Sequence, residues 1–190
     1  MLGETLLAGI GQGYFQVTPI QLCLMSAQLA NGGHKIDPKI IYNAQALQSN
    51  KDASIERFKQ LYINQENIKF VLDAQFGATN EPMGTSYGSR HVKSEYVFAG
   101  KTGTSQIRSI TPEERELKLK QKDLPYKRRD HALFTAFAPY KNPQYALSIV
   151  IEHGGTGSSS AAPIAKKIIK KVLDRHQLRK KYQSNLFQEI

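Results

Sequence analysis

The chain has 190 residues, 40% of them apolar, with a formal net charge of +10 and a pI near 9.6. This length predicts one domain, and the composition is that of an ordinary folded protein, which excludes overall disorder. The positive charge suits several classes of anionic partner without selecting one, and the only cysteine, Cys23, excludes an intramolecular disulfide.

The beginning of the chain gives one clear helix start. Three glycines within residues 9–13 favour a tight backbone path. Thr18, Pro19 and Gln21 then form the signature of a helix N-terminus with a capping box, and the glycines within 31–33 predict where that helix ends. Met1 and the residues after it lack the basic and apolar regions of a signal peptide, so we expect any export signal to lie outside this sequence.

The middle of the chain is less regular. Residues 35–48 suggest a short strand and a loop, and residues 51–62 mix polar and apolar residues without a regular period. Apolar residues at helical spacing predict a second helix over 65–76. Residues 84–89 form a loop of glycines and hydroxyl-bearing residues.

The second half predicts an antiparallel sheet. An apolar run leads into a strand expected at about 95–104, and a polar segment with a short helix near 112–122 follows. Two further strands, 132–138 and 145–152, are separated by a turn short enough to make them antiparallel neighbours. Helices followed by such strands indicate an α+β domain with an antiparallel sheet covered by helices.

The end of the chain predicts a flexible loop at 154–160 and a final helix at about 163–175 that packs on the sheet. Residues 1–176 are expected to form the domain, and 177–190 a polar, frayed tail. The final helix should turn a single apolar stripe towards the sheet. That stripe consists of Ile164, Ala165, Ile168, Ile169, Val172 and Leu173.

The most informative residues are Lys101, Thr102, Gly103 and Thr104. These residues follow an apolar run and provide a cation, two hydroxyls and a glycine. The glycine lets a ligand approach the backbone, and the cation and the hydroxyls can bind a carboxylate at the edge of a strand. A strand-end turn with an exposed lysine is the plainer alternative. A phosphate-binding P-loop is disfavoured because Glu95 stands where its first glycine is required and residues 96–99 are expected to form a strand.

Five blocks surround this element in order. They are Gly-Ile-Gly-Gln-Gly-Tyr with Thr-Pro-Ile-Gln at 9–21, Gly-Thr-Ser at 84–86, Lys-Thr-Gly-Thr-Ser-Gln at 101–106, Asp-His-Ala-Leu-Phe with Phe-Ala-Pro at 130–139, and the glycine loop and helix start at 152–165. Together they resemble the class B penicillin-binding proteins, and among these the elongation-type members, over residues 3–175. Five ordered blocks at sensible spacing are far more specific than Lys-Thr-Gly alone.

This resemblance implies a penicillin-binding protein/β-lactamase-like transpeptidase domain that cross-links peptidoglycan by acyl transfer at the periplasmic face of the inner membrane. It implies that Lys101, Thr102, Gly103 and Thr104 bind the substrate and that the Thr104 backbone N–H is an oxyanion donor. The ligands would be a peptidoglycan stem peptide or a β-lactam. No metal, cofactor or nucleic acid is expected.

The sequence departs from the family at the nucleophile. No serine is followed three positions later by lysine, and Ser-x-Asn and Ser-x-Asp are also absent. In the family both elements precede the Gly-Gln-Gly segment. We therefore expect this chain to be the C-terminal part of the domain, to be inactive alone, and to need an N-terminal fragment that supplies the serine.

A second hypothesis is a basic interaction or scaffold protein that binds an anionic surface or partner. Residues 166–181 carry eight cations against one acid, Asp174. A lysine-rich helix face opposite an apolar face more often serves solubility. Strong salt dependence of binding would favour this second hypothesis.

Overall fold

The computed structural model describes residues 2–40, 61, 64–117 and 119–186. Within these ranges the helices are α1 Leu2–Gly9, α2 Pro19–Ala30, α3 Gln65–Asn80, α4 Pro112–Glu116 and α5 Ala162–Leu186. The strands are β1 Ala99–Ser105, β2 His131–Ala138 and β3 Tyr145–Ile151. They form one antiparallel sheet in the order β1-β2-β3, which confirms the predicted α+β fold.

The start of α2 forms as predicted. The Thr18 hydroxyl accepts the backbone N–H of Gln21, and the Gln21 side chain accepts the backbone N–H of Thr18. Gly32 and Gly33 follow the helix with φ angles of 84° and 88°, which glycine adopts most easily. Helix α3 continues to Asn80, four residues beyond the predicted end. Helix α1 was not predicted, because Gly3 and Gly9 both disfavour a helix.

The predictions for residues 35–62 have a mixed outcome. Residues 35–40 contain no strand. The remainder of the predictions at 35–48 and 51–62, apart from Leu61, lies outside the described residues. The helix expected near 112–122 is shorter, since α4 ends at Glu116 and a separate 3₁₀ turn, Gln121–Asp123, follows.

Strand β1 begins later than the apolar run suggests. Ser94–Tyr96 is a 3₁₀ turn, and the strand starts at Ala99. The residues just before the strand are apolar because they belong to the core that α5 covers. Phe98 is fully buried there, and the Tyr96 hydroxyl donates to Asp174 of α5 at 2.5 Å.

One face of the sheet packs against α5. Phe98 and Phe134 meet edge to face there, with ring centroids 6.2 Å apart. The buried residues of α5 in this core are Ala162, Ala165, Ile169 and Leu173.

The predicted stripe of α5 was wrong in part. Ile164 is 41% exposed and Ile168 is 42% exposed. At 3.6 residues per turn, these two positions point away from the line through Ala165, Ile169 and Leu173.

The C-terminal region also differs from the sequence prediction in two places. The loop expected at 154–160 contains a π-helical turn, Gly157–Ala161, in which Gly157 is buried. Helix α5 continues to Leu186, so the expected frayed tail is helical up to that residue. The division of the chain at residue 176 stays a prediction.

The opposite face of the sheet lies against α2 and α3, with α2 over β2 and β3 and α3 over β1. Cys23 of α2 is half-buried, and this burial raises the pKa of its thiol. Two aliphatic residues of α2 and two residues of α3 remain at least 38% exposed: Ile20, Met25, Phe70 and Val71. This helical layer therefore leaves apolar surface in contact with solvent.

Candidate functional site

The Lys-Thr-Gly element lies in the middle of β1, at an edge of the sheet. Lys101 is opposite Thr135 and Gly103 is opposite Leu133 in the pairing with β2. Among the described residues β1 pairs with no other strand, so the backbone groups along its second edge are not bonded to a neighbouring strand. An extended peptide can bind such an edge through main-chain hydrogen bonds.

The C-terminal end of α3 holds the beginning of β1 in place. The Thr79 hydroxyl donates to the carbonyl of Gly100 at 3.3 Å, and the Asn80 side chain donates to the carbonyl of Phe98 at 2.9 Å. Thr79 is fully buried. These bonds fix the strand directly before Lys101.

Side chains of two sequence blocks meet at Thr102. Its hydroxyl lies 3.2 Å from the hydroxyl of Thr85, in the Gly-Thr-Ser block. The Lys101 Nζ donates to the carbonyl of Thr102 at 3.0 Å and to its hydroxyl at 3.3 Å. An ammonium and two hydroxyls therefore form one continuous set of donors beside β1.

The Gly-Gln-Gly block reaches the other end of the element. Gln12 Nε2 donates to the carbonyl of Thr104 at 3.4 Å. In an antiparallel strand the N–H and C=O of one residue point to the same side. Because Gln12 approaches from outside the sheet pairing, the Thr104 N–H also points towards the unpaired edge.

Gly157 packs directly against the back of the element. A Cβ at this position would lie 2.8 Å from the carbonyl oxygen of Gly103, 2.3 Å from that of Leu133 and 3.1 Å from Thr102 Cβ. Only a glycine lets the π-helical turn approach the strand so closely. The glycine loop after β3 is thus part of the support for β1.

Two ion pairs stabilise the connection between β1 and β2. Arg108 donates to one oxygen of Glu114 at 2.5 Å, and Arg128 donates to the other at 3.0 Å. The hydrogen bond from Arg108 and the backbone N–H of Thr111 hold the pKa of the Glu114 carboxyl below its ordinary value. This arrangement joins the segment leaving β1 to the segment entering β2.

An apolar groove of 490 Å³ opens beside the Lys-Thr-Gly element. Lys101, Thr102 and Gly103 form one wall. The rest of the groove is mainly apolar and comes from the helical layer and β2: Leu22, Met25, Leu29, Phe70, Val71, Ala74 and Leu133 are among its lining residues. The donors of β1 therefore border a surface suited to an apolar partner.

The structure brings all four predicted site residues together on one strand and gathers the five sequence blocks around it. The supporting contacts of Gln12, Thr79 and Gly157 were not predicted individually, although Gln12 and Gly157 lie within the recognised blocks. Within the described ranges, no group of His, Cys, Asp and Glu residues could hold a metal ion. None of the helices in these ranges combines the length and the apolar character that a membrane-spanning helix requires.

Comparisons with known proteins agree with this geometry. Residues 3–170 match the family described as "Penicillin binding protein transpeptidase domain". The peptidoglycan D,D-transpeptidase MrdA of Salmonella typhimurium strain SL1344 is 36% identical over 179 residues, which cover 90% of this chain and 27% of that protein. The Escherichia coli K12 protein of the same name is 30% identical over 182 residues, covering 93% of this chain and 26% of that protein.

Solved structures give the same result. The penicillin-binding protein PBP2 of Helicobacter pylori, in its complex with MreC, superposes with a TM-score of 0.72 and 28% identity over 92% of this chain and 28% of that one. PBP2 of Pseudomonas aeruginosa, in complex with WCK 5153, gives a TM-score of 0.62 and 32% identity over 89% of this chain and 32% of that one. The chain spans about a quarter of the length of the curated relatives, 27% for the first. It belongs to the penicillin-binding protein transpeptidase family and is of the MrdA/PBP2 type.

Proposed function

We propose that this chain contributes the Lys-Thr-Gly wall of a peptidoglycan D,D-transpeptidase site, and that the serine nucleophile comes from a polypeptide segment outside residues 1–190. The observation that carries the proposal is the unpaired edge of β1, where the Lys101 ammonium and the Thr102 hydroxyl adjoin an outward-pointing Thr104 N–H. In this proposal Lys101, Thr102 and Thr104 bind the C-terminal carboxylate of a D-Ala-D-Ala stem peptide, and Gly103 leaves room for its backbone.

The chemistry is acyl transfer. The serine oxygen attacks the penultimate D-alanine carbonyl, the terminal D-alanine leaves with a proton on its amine, and an ester to the enzyme remains. The amine of a second stem peptide then attacks that ester and releases the serine. The Thr104 N–H stabilises the oxyanion of each tetrahedral intermediate as one of two donors, and the second donor belongs to the serine itself.

The missing nucleophile sets the expected activity of the chain alone. Removing the serine of a serine hydrolase costs roughly 10⁶-fold in rate. Residues 1–190 contain no Ser-x-x-Lys, Ser-x-Asn or Ser-x-Asp. We therefore propose that this chain has no useful turnover unless another segment completes the site. In the complete protein this site would work at the periplasmic face of the inner membrane.

The groove beside Lys101 supports this division of the site. It is apolar, it borders the Lys-Thr-Gly wall, and the exposed Phe70 and Met25 contribute to it. A segment carrying Ser-x-x-Lys that bound there would cover this apolar surface and bring its serine next to the donors of β1. Exposed apolar surface of this kind on a monomer commonly marks a partner site.

Reversible binding tests the Lys-Thr-Gly wall without the nucleophile. An N-acetylated peptide ending in D-Ala-D-Ala, titrated into the ¹⁵N-labelled chain, should shift the backbone amide signals of Thr102 and Thr104 in a saturable manner. The same peptide with a C-terminal carboxamide should bind at least about tenfold more weakly, since it lacks the charge that Lys101 pairs with. Lys101→Ala should reduce the difference, whereas Lys93→Ala, at an exposed lysine outside the site, should not. Equal binding of the acid and the carboxamide would contradict the proposed role of Lys101.

A further inference from the structure

A second, basic recess lies at the end of the sheet from which β1 leaves and β2 begins. Its volume is 350 Å³. The recess is enclosed by the 3₁₀ turn Gln121–Asp123, the residues just before β2 and the glycine loop after β3. Its main polar residues are Lys120, Lys122, Arg129, Thr156, Ser159 and Ser160. None of these belongs to the Lys-Thr-Gly wall.

Asp130 ties the three walls of this recess together. Its buried side chain accepts Gln121 Nε2 at 2.6 Å and the backbone N–H of Ile107 at 3.3 Å, and its own N–H donates to Gln121 Oε1 at 2.9 Å. Its carbonyl accepts the N–H of Gly155 at 2.9 Å. Asp130 thus connects the three walls through these hydrogen bonds, and among the described residues its carboxylate forms no ion pair with Lys120, Lys122 or Arg129.

The cations of the recess have no acidic partner among the described residues. The basic residues that form ion pairs in that part of the chain are Lys35, Arg108, Arg128 and Lys170. Arg129 is held by carbonyl groups, with Nε on Leu124 at 3.0 Å and Nη2 on Lys122 at 3.2 Å. The nearby acid Asp123 accepts the backbone N–H of Lys120. Three positive charges therefore converge on one concave surface.

Hydroxyl groups complete the recess on the side of the glycine loop. The Thr156 and Ser159 hydroxyls lie 2.7 Å apart, and either can turn its proton towards a bound oxygen atom. Gly155 has a φ of +85°, and a Cβ there would meet Gln121 at 3.2 Å. Cations with adjacent hydroxyl donors are the groups that recognise a carboxylate or another oxyanion.

The recess and the proposed transpeptidase site share a structural element. Thr156 immediately precedes Gly157, whose backbone lies against the carbonyl of Gly103. A peptide bound along β1 and continuing past Ser105 would approach the connection that leads to Lys120 and Lys122. The recess is thus placed to contact a part of the substrate other than its D-Ala-D-Ala end.

We propose that the recess of Lys120, Lys122, Arg129, Thr156 and Ser159 binds a free carboxylate of a peptidoglycan stem peptide. That ligand assignment rests on the proposed function. The peptide is favoured over a free inorganic anion because the recess adjoins the strand that the peptide is proposed to occupy. Binding here would select stem peptides by a charge distant from the scissile bond.

The test uses the ¹⁵N-labelled full chain and follows the amide signals of Gly155, Thr156 and Ser159. The probes are a muramyl-type stem tripeptide with free carboxylates, the same peptide with its carboxylates amidated, sodium acetate and inorganic phosphate, all at one ionic strength. The free tripeptide should shift these signals in a saturable manner, and amidation should weaken its binding about tenfold. The double variant Lys120→Gln/Lys122→Gln should lose a similar factor, whereas the control Lys93→Gln/Lys141→Gln should bind as the wild type does.

The outcomes separate this inference from the proposed function. Lys120 and Lys122 are exposed, so we expect the double variant to fold. Unchanged amide signals outside the recess will verify this. Saturable binding of phosphate with no preference for the tripeptide over acetate would overturn the assignment of the ligand. If the control variant lost the same factor in binding, the effect would come from the overall charge of the chain and the recess would be refuted as a specific site. If D-Ala-D-Ala peptides shifted the signals of Thr102 and Thr104 but the tripeptide shifted none in the recess, the proposed function would stand and the proposed binding in the recess would be refuted.

Discussion

Replacing Gly157 by alanine should destabilise the chain and displace the strand that carries the proposed carboxylate-binding residues. The new Cβ would lie 2.3 Å from the Leu133 carbonyl oxygen and 2.8 Å from that of Gly103. These distances are about 1 Å shorter than an ordinary van der Waals contact. Both partners are main-chain atoms of paired strands, so the turn has to move instead. Overpacking of this kind costs about 1–3 kcal/mol.

Thermal unfolding followed by circular dichroism measures this effect. For a chain of this length, about 1–3 kcal/mol corresponds to a fall in Tm of roughly 2–12 °C. Gly88→Ala is the matched control, because a Cβ there has nothing within 4 Å and the residue has no positive φ. Its free energy of unfolding should stay within about 0.5 kcal/mol of the wild type. If Gly157→Ala melted at the wild-type temperature, the close packing of the glycine loop on β1 would be refuted.

Three further substitutions test the core and its polar contacts. Phe134→Ala should lower the free energy of unfolding by about 3–5 kcal/mol in urea titrations, whereas Phe70→Ala, at a residue 75% exposed, should change it far less. The lowered pKa of Glu114 means that its ion pairs stabilise the fold above about pH 4.3 and are lost as the pH falls further, so Glu114→Gln should flatten stability between pH 7 and 3. The hydrogen bond to Asp174 raises the pKa of Tyr96 to about 12, so its contribution is present below about pH 10 and is lost as the pH rises through 12. Tyr96→Phe should remove that alkaline loss, and an unchanged alkaline profile would contradict the assignment.

The elements predicted best are those with strong local signals. The capping residues of α2, the short connection between β2 and β3, and the placement of Lys101–Thr104 on a strand were all predictable. Each depends on contacts between residues near one another in sequence, or on apolar patterning that the sheet requires. The four site residues could therefore be located on one edge before the structure was known.

What the sequence did not indicate depends on contacts between distant segments. The approach of Gln12 to Thr104 joins residues 92 positions apart, and the bond from Tyr96 to Asp174 spans 78 positions. The exposure of Ile164 and Ile168 depends on which side of α5 faces the sheet. The apolar stripe is wider than the surface that contacts the sheet, so the sequence does not indicate which apolar residues are buried. The packing of Gly157 on β1 was not predicted, because a glycine-rich sequence alone indicates a flexible loop and does not show which strand it contacts.

In the proposed function this chain supplies the Lys-Thr-Gly wall but not the nucleophile. Labelling with a fluorescent penicillin, followed by denaturing electrophoresis, tests this division of the site, because only a covalent adduct survives denaturation. The isolated chain should give no labelled band. A complex with an N-terminal piece carrying Ser-x-x-Lys, its formation checked by gel filtration, should label on that piece, and Lys101→Ala should abolish the label while Lys93→Ala keeps it. An adduct on the isolated chain would show that it contains a working nucleophile. A complex that forms but is not labelled would contradict the proposed function and leave only the fold in common with the penicillin-binding proteins.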